Sequence, residues 1–186
     1  MPRPGKSKTD WLETALTALE AEGIEGVKIE RLAGRLGVAR SGFYFHFANR
    51  QDLLDQIVSY WTESYTSIVI DDSTISPLPP TQRLLQVMAM IDRHRLTRFD
   101  LAMRSWAQQD PHVKQRVEEV YAMRLTYIGG IFGEAGFTGA DRDARTRLFV
   151  AYCSWAPIMF GEATFADESI RRRQLALMLA DPDSNH

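Results

Sequence analysis

One cysteine in 186 residues, Cys153, excludes an internal disulfide, and its apolar neighbourhood marks a buried thiol rather than a redox switch. A reducing cytoplasm is the setting that suits such a chain. No apolar stretch reaches the roughly 18 residues a membrane span requires, and no signal peptide opens the sequence, so a membrane partner is not expected. Neither an internal repeat nor a low-complexity run is present, and no strand-like alternation is convincing. Residues for nucleophilic or metal chemistry are equally scarce. His94, Asp100, His112 and Cys153 are the only ones to recruit, and their spacings match no triad or metal signature. The expectation is therefore no enzyme, no metal and no cofactor. A formal net charge of -2 also excludes a generic binder of polyanions.

What the chain does contain is concentrated between Ile29 and Leu54, IERLAGRLGVARSGFYFHFANRQDLL. Ile29, Leu32, Ala33 and Leu36 fall at i, i+3, i+4 and i+7, which is one face of a helix. Gly37 then supplies a left-handed turn that is cheap only without a Cβ, and Val38 plugs the corner. A second helix is expected over about residues 39–47. Phe43 and Phe47 should point inward, four residues apart, while Arg40, Ser41, Tyr44 and Phe45 lie on faces that can stay outside. Asn49 can cap a third helix, and Asp52 suits its positive end. This layout is a helix-turn-helix, whose second helix enters the DNA major groove while its neighbours grip phosphates. The alternative is that Tyr44 and Phe45 are simply core, and that His46 is a satisfied, partly buried side chain. Arg31 and Arg35 read as solvated charges.

Charge is placed to match. From Gly26 to Arg50 there are five basic residues (Lys28, Arg31, Arg35, Arg40, Arg50) against Glu30 alone, a local +4. Arg3, Lys6 and Lys8 add to it in an N-terminal arm that also holds Pro2, Pro4 and Gly5 and can touch phosphates or a minor groove. A basic surface on a mildly acidic body is the footprint of a DNA reader.

The run Leu32-Ala33, Gly37-Val38, Tyr44, His46-Phe47, Arg50 and Leu53-Leu54 resembles the N-terminal domain of the TetR family of transcriptional regulators. The resemblance implies that Arg40, Ser41, Gly42, Tyr44 and Phe45 face DNA and that His46 and Arg50 contact phosphates; Lys28, which departs from the family, adds a charge near the backbone. Three positions depart from the family pattern. Ala39 stands where a serine is common, Lys28 where a threonine is, and Arg50 where a lysine is. The first two lose a capping hydroxyl, and the third turns a point charge into a fork.

Residues 1–50 are thus expected to form the DNA-binding domain, with Trp11, Leu12, Ala15, Leu16 and Leu19 on a supporting helix from about Thr9 to Glu22. Residues 51–186 are expected to form a helical effector-binding and dimerisation domain. The whole is all-α, with about nine helices. One runs from Gln51 to Ile70. The proline-rich stretch 71–80 ends it, and Thr81 can cap the next, which reaches toward Leu96. A short helix then spans about 98–109. Asp110-Pro111 opens a long helix to about Glu134, and Gly136 and Gly139 mark a loop. The last two span about Asp141–Glu162 and Asp167–Ala180. Pro157 should kink the first of these.

Two tasks are expected of this body. The resemblance implies a homodimer built on the last two long helices, with Phe149, Trp155, Met159, Leu175 and Met178 as contact residues unless they are buried within one subunit. Trp61, Met88, Met103, Trp106, Tyr121, Tyr127, Tyr152 and Trp155 offer adaptable apolar groups for a small-molecule effector pocket, or else ordinary core. Gly129-Gly130 marks either a close helix contact or a bend. The function expected is a regulator, a repressor released from double-stranded operator DNA by a mostly apolar or aromatic effector. The alternative is a helix-turn-helix protein whose body only dimerises or binds a protein.

Overall fold

A computed structural model of the chain describes residues 6–180. The arm residues Arg3, Pro2, Pro4 and Gly5 lie outside them. Among the described residues there is no strand, and the α-helices are α1 (Lys8–Glu22), α2 (Ile29–Leu36), α3 (Arg50–Thr62), α4 (Ile68–Ile70), α5 (Pro80–His94), α6 (Asp100–Ala107), α7 (Pro111–Glu134), α8 (Gly139–Phe160), α9 (Glu162–Ala166) and α10 (Glu168–Leu179). A π turn over Glu63–Ser67 joins α3 to α4, so those two are one helix and nine separate ones remain. The all-α expectation holds.

Local chemistry sets the boundaries. Ser7 opens α1 one residue before the expected start, because its Oγ accepts from the Asp10 N–H at 3.1 Å while Asp10 Oδ2 accepts from the Ser7 N–H at 2.8 Å. Gly37 closes α2 in the left-handed region, φ 67° and ψ 32°. Asn49 caps α3 by accepting from the Asp52 N–H at 3.0 Å, and Asp52 answers by accepting from the Ala48 N–H at 2.7 Å. The Ala48 N–H, together with the Gln56 side-chain amide, holds the Asp52 carboxyl below its usual range. Thr81 does not cap α5: Pro79 and Pro80 open it, with proline at the first helical position where its missing N–H costs nothing. Asp110 accepts from the N–H of His112 at 2.9 Å and starts α7. Gly161, at φ 85°, separates α8 from α9, a short helix absent from the expected set.

The expected second helix is tighter than foreseen. It is a 3₁₀ segment over Arg40–Phe45, not an α-helix over residues 39–47. Ala39 gives it no side-chain cap, and Gly42 and three aromatics are poor helix formers, so six residues wind with i→i+3 bonds.

Packing divides the described chain into two compact units, one running to Tyr65 and including Arg98–Glu118, the other Thr66–Thr97 with the residues from Glu119 on. The expected division after Arg50 separates tasks, a DNA-binding domain from an effector-binding and dimerisation domain, and is a proposal. In the first unit Trp11, Leu16, Leu32, Phe43, Phe47, Leu53 and Trp61 are buried. Phe43 is the keystone. Its ring meets Trp11 edge-on at 5.5 Å and stacks on Phe47 at 5.1 Å, tying the 3₁₀ segment to α1. Truncating such a phenylalanine costs about 3–5 kcal/mol.

The second unit is built around Leu84, Met88, Ile131, Phe132, Phe149, Phe165 and Leu175, all buried. Three buried arginines are paired within it: Arg83 with Glu134 at 2.5 Å, Arg171 with Asp92 at 3.2 Å and the Phe165 carbonyl at 2.8 Å, and Arg145 with Asp141 at 2.9 Å. Helix α8 continues past Pro157 to Phe160. Proline cannot donate to the carbonyl four residues back, that of Cys153, and the Thr97 hydroxyl reaches it instead at 3.5 Å. The Cys153 thiol is buried, and desolvation pushes its pKa up, as a structural cysteine requires.

Candidate nucleic-acid interface

The aromatic residues divide as the sequence pattern requires. Phe43 and Phe47 are buried, whereas Tyr44 is 52 % and Phe45 86 % exposed. The core alternative for these two is therefore excluded within the single chain. Ser41 is exposed beside them and Gly42 half-exposed, on the far side of the segment from its buried face. An exposed phenylalanine ring forgoes about 1.5–3 kcal/mol of burial, and Phe45 is the most exposed large apolar side chain among the described residues.

Arg40 opens the same segment, and two groups hold it. Its Nη1 meets Glu30 Oε1 at 2.9 Å, and its Nη2 donates to the Tyr44 hydroxyl at 3.2 Å. The Tyr44 bond and the Glu30 charge both raise its pKa. Lys28 pairs with Glu25 at 3.2 Å, with no side-chain cap on α2. Arg31 and Arg35 are not merely solvated: both converge on Glu22. His46 donates from Nε2 to the Lys6 carbonyl at 2.8 Å, which fixes the proton on that nitrogen. Arg50 is turned inward. Its Nε donates to the Val27 carbonyl at 2.8 Å and its Nη2 to the Ile24 carbonyl at 3.1 Å, so it anchors the turn before α2.

The basic surface is consequently weaker than a count from Gly26 suggests. Glu22 and Glu25, just upstream, pair with α2 and its cap, and residues 22–50 carry five basic against three acidic side chains, a net of +2. Spatial neighbours across Gly23 and Gly26 decide this, which a window in sequence does not see.

The residues expected in the body are scattered. Trp61, Met103 and Trp106 are buried in the first unit, and Met88 in the second. Tyr121, Tyr127, Tyr152 and Trp155 are half-buried in the second unit. Tyr152 packs on Phe165 at 5.7 Å. Tyr127 alone of the eight lines an open, mainly apolar groove of about 590 Å³, with Ile70, Ala122, Met123 and Thr126, residues that no sequence pattern singled out. Of the expected interface residues, Phe149 and Leu175 are buried within their own subunit, Trp155 and Met178 are half-buried, and Met159 is 68 % exposed. Leu148, Ile158 and Leu177, not foreseen, are exposed as well. Gly129 backs on Thr146 of α8, where a Cβ would sit at an ordinary 3.5 Å from Oγ1, so that position does not demand glycine.

Three helices around one core, with a tight glycine corner and an exposed aromatic and basic face on the second, define a helix-turn-helix module on an all-α body. Comparison with known proteins agrees. Residues 12–57 match the family described as bacterial regulatory proteins, tetR family. Over 46 residues it is 46 % identical to the tetracycline repressor protein class C of Escherichia coli, a match that spans 25 % of this chain and 21 % of that repressor. The fold of the whole chain is similar to that of solved regulators. A transcriptional regulator from Rhodococcus has a TM-score of 0.70 at 14 % identity, with 94 % of each chain covered. PfmR of Thermus thermophilus has a TM-score of 0.70 at 18 % identity, covering 91 % of this chain and 96 % of that one. FadR of Bacillus subtilis, solved in complex with stearoyl-CoA, has a TM-score of 0.70 at 17 % identity, covering 94 % and 98 %.

Proposed function

We propose that the protein is a sequence-specific DNA-binding repressor that acts as a homodimer in the cytoplasm and is released from its operator by a small apolar or aromatic effector. The observation that carries the DNA-reading part is the solvent-facing pair Tyr44 and Phe45 beside Arg40 on the second element of a helix-turn-helix. In this reading Arg40, Ser41, Gly42, Tyr44 and Phe45 face the major groove, and Lys28, His46 and Arg50 lie toward the backbone. The tight 3₁₀ segment presents few side chains, so one head reads few base edges. Two heads about 34–36 Å apart, or a multiple of that, read a palindrome.

The apolar groove along α7 supports an effector site, and the stearoyl-CoA bound to FadR shows that a protein of this fold can hold an apolar ligand. An effector that moves the dimer from mostly bound to mostly released must prefer the released shape by about 5.5 kcal/mol, so it must touch residues that differ between the two shapes. The reading without an effector has its own support, since Trp61, Met88, Met103 and Trp106 are packed away as core.

The test is selection of bound fragments from genomic DNA by the wild-type chain, followed by binding of the selected site to Tyr44→Ala and Phe45→Ala variants. Both variants are expected to lose operator binding with helix content unchanged, and wild-type affinity to fall steeply with salt. Retention of tight, sequence-specific binding by both variants refutes the assignment.

A further inference from the structure

We propose that Glu30 is a positioning residue that sets DNA sequence specificity: by holding Arg40 together with Tyr44, it directs the guanidinium to a guanine edge instead of a phosphate. The proposal rests on the DNA-reading function of the head. Glu30 lies in the first turn of α2 and Arg40 opens the 3₁₀ segment, so the contact at 2.9 Å bridges the two elements of the helix-turn-helix across the Gly37 corner. With Nη2 donating to the Tyr44 hydroxyl at 3.2 Å, two terminal nitrogens of one rigid plane are fixed from two sides. A plane fixed at two atoms has a set orientation. Three of its five N–H groups remain to donate, enough for the paired bonds that a guanidinium makes to guanine O6 and N7.

Electrostatics then selects between targets. Glu30 is the only acid from Gly26 to Arg50, and its carboxylate both neutralises Arg40 and repels phosphate oxygens. The O6 and N7 of guanine are uncharged acceptors, so the pair discourages backbone contact far more than base contact. Sequence-independent binding is mostly phosphate contact, so an acid here lowers it and leaves base reading in place. A role in stability does not account for the pair: the side chains are 63 % and 56 % exposed, and ion pairs so exposed contribute little to folding. Glu22 and Glu25 differ, since each holds cations on or next to α2 and neither reaches the 3₁₀ segment. The Tyr44 hydroxyl accepts from Arg40, which leaves its own proton for a phosphate or base.

The full-length wild type, Glu30→Ala, Glu30→Gln and Arg40→Ala are each to be selected on duplexes carrying a 20-base-pair randomised core, and affinity is then measured on the wild-type site and on a random duplex. Wild type should enrich guanine at one position per half-site that Arg40→Ala no longer prefers. Glu30→Ala should lose that same preference while the remaining positions persist, and its ratio of operator to random-duplex affinity should fall about tenfold. Glu30→Gln keeps an oxygen for Nη1 and should retain the guanine. It should also bind the random duplex more tightly, with a salt slope steeper by about 0.9, the equivalent of one phosphate. The proposal is overturned if Glu30→Ala selects the wild-type motif unchanged. It is also overturned if the base lost on removing Glu30 persists in Arg40→Ala, because Glu30 would then read that base itself. If the wild type enriches no sequence, the DNA-reading function falls and the proposal with it.

Discussion

At the scale of single residues, Arg50 shows how a charge can be assigned by type while a second, structural task stays hidden. Basic, near the start of α3 and in a DNA-reading motif, it has every sequence mark of a phosphate contact. Its Nε and Nη2 nevertheless donate to the Val27 and Ile24 carbonyls, and the residue is partly buried. Backbone acceptors have no sequence signature, so this anchoring is unreadable from residue types. The fork also explains arginine in place of lysine, since one ammonium cannot serve two carbonyls along one rigid edge. Arg50→Ala is therefore expected to lower the stability of the chain by about 2–3 kcal/mol, the range for hydrogen bonds from a charged donor, and to weaken DNA binding as a consequence. Arg50→Lys should recover only part of that loss. Urea unfolding followed by tryptophan fluorescence measures it, and an unaltered midpoint for Arg50→Ala would return the residue to the phosphate role alone. Tyr44 and Phe45 are the opposite case. Their outward placement could be read from spacing, because Phe43 and Phe47 on the inner face leave them no room in the core.

At the scale of elements, boundaries followed local signals where side chains cap the backbone and departed from them where proline or glycine takes over. Asn49, Asp110 and Asp167 each accept from backbone N–H groups at the start of a helix, and α3, α7 and α10 begin where the sequence places them. Thr81 gave way to Pro80, and the 3₁₀ winding of the second reading helix reflects Gly42 and Ala39, whose effects on helix type are smaller than the pattern that announces a helix at all. Pro157 is more informative still. It leaves the Cys153 carbonyl without its helical donor, in a buried place, and Thr97 supplies the missing hydrogen bond. A buried carbonyl without a partner costs about 1–3 kcal/mol. Thr97→Val, which keeps the shape and removes the hydroxyl, should then destabilise the chain by about that amount. In a Pro157→Ala background, where residue 157 regains an N–H, the same change should cost much less. A double-mutant cycle of thermal or denaturant unfolding tests this coupling, and additive effects of the two substitutions would show that Thr97 does not serve the carbonyl.

At the scale of the whole molecule, one head on its own is a poor reader, with a six-residue recognition segment and a local charge of only +2 once Glu22 and Glu25 are included. In the proposed dimer the missing affinity comes from a second head, and we propose an exposed apolar face of the second unit as the pairing surface. Along α8, Leu148, Trp155 and Met159 recur at helical spacing with Ile158 beside them, and Leu148, Ile158 and Met159 are 60 %, 48 % and 68 % exposed. Leu177 of α10 is 72 % exposed. Apolar side chains exposed in such numbers on two helices are the basis for proposing this face as the covered one in a dimer. Of the contact residues expected from sequence, Phe149 and Leu175 are buried within one subunit, while Leu148 and Leu177 are exposed and join the proposed contact. Periodicity names both faces of an amphipathic helix packed on two sides and cannot say which is internal. Leu148→Glu with Leu177→Glu places four carboxylates at the pairing surface of a dimer and leaves the monomer core untouched. Sedimentation should show the wild type as a dimer and the double variant as a monomer with the same helix content. The variant should retain weak binding of one head to random duplex but lose the operator, since half-site spacing is read only by a pair. A double variant that remains dimeric would move the interface to another face, and the groove beside Tyr127, Met123 and Ile70 would be the next surface to substitute.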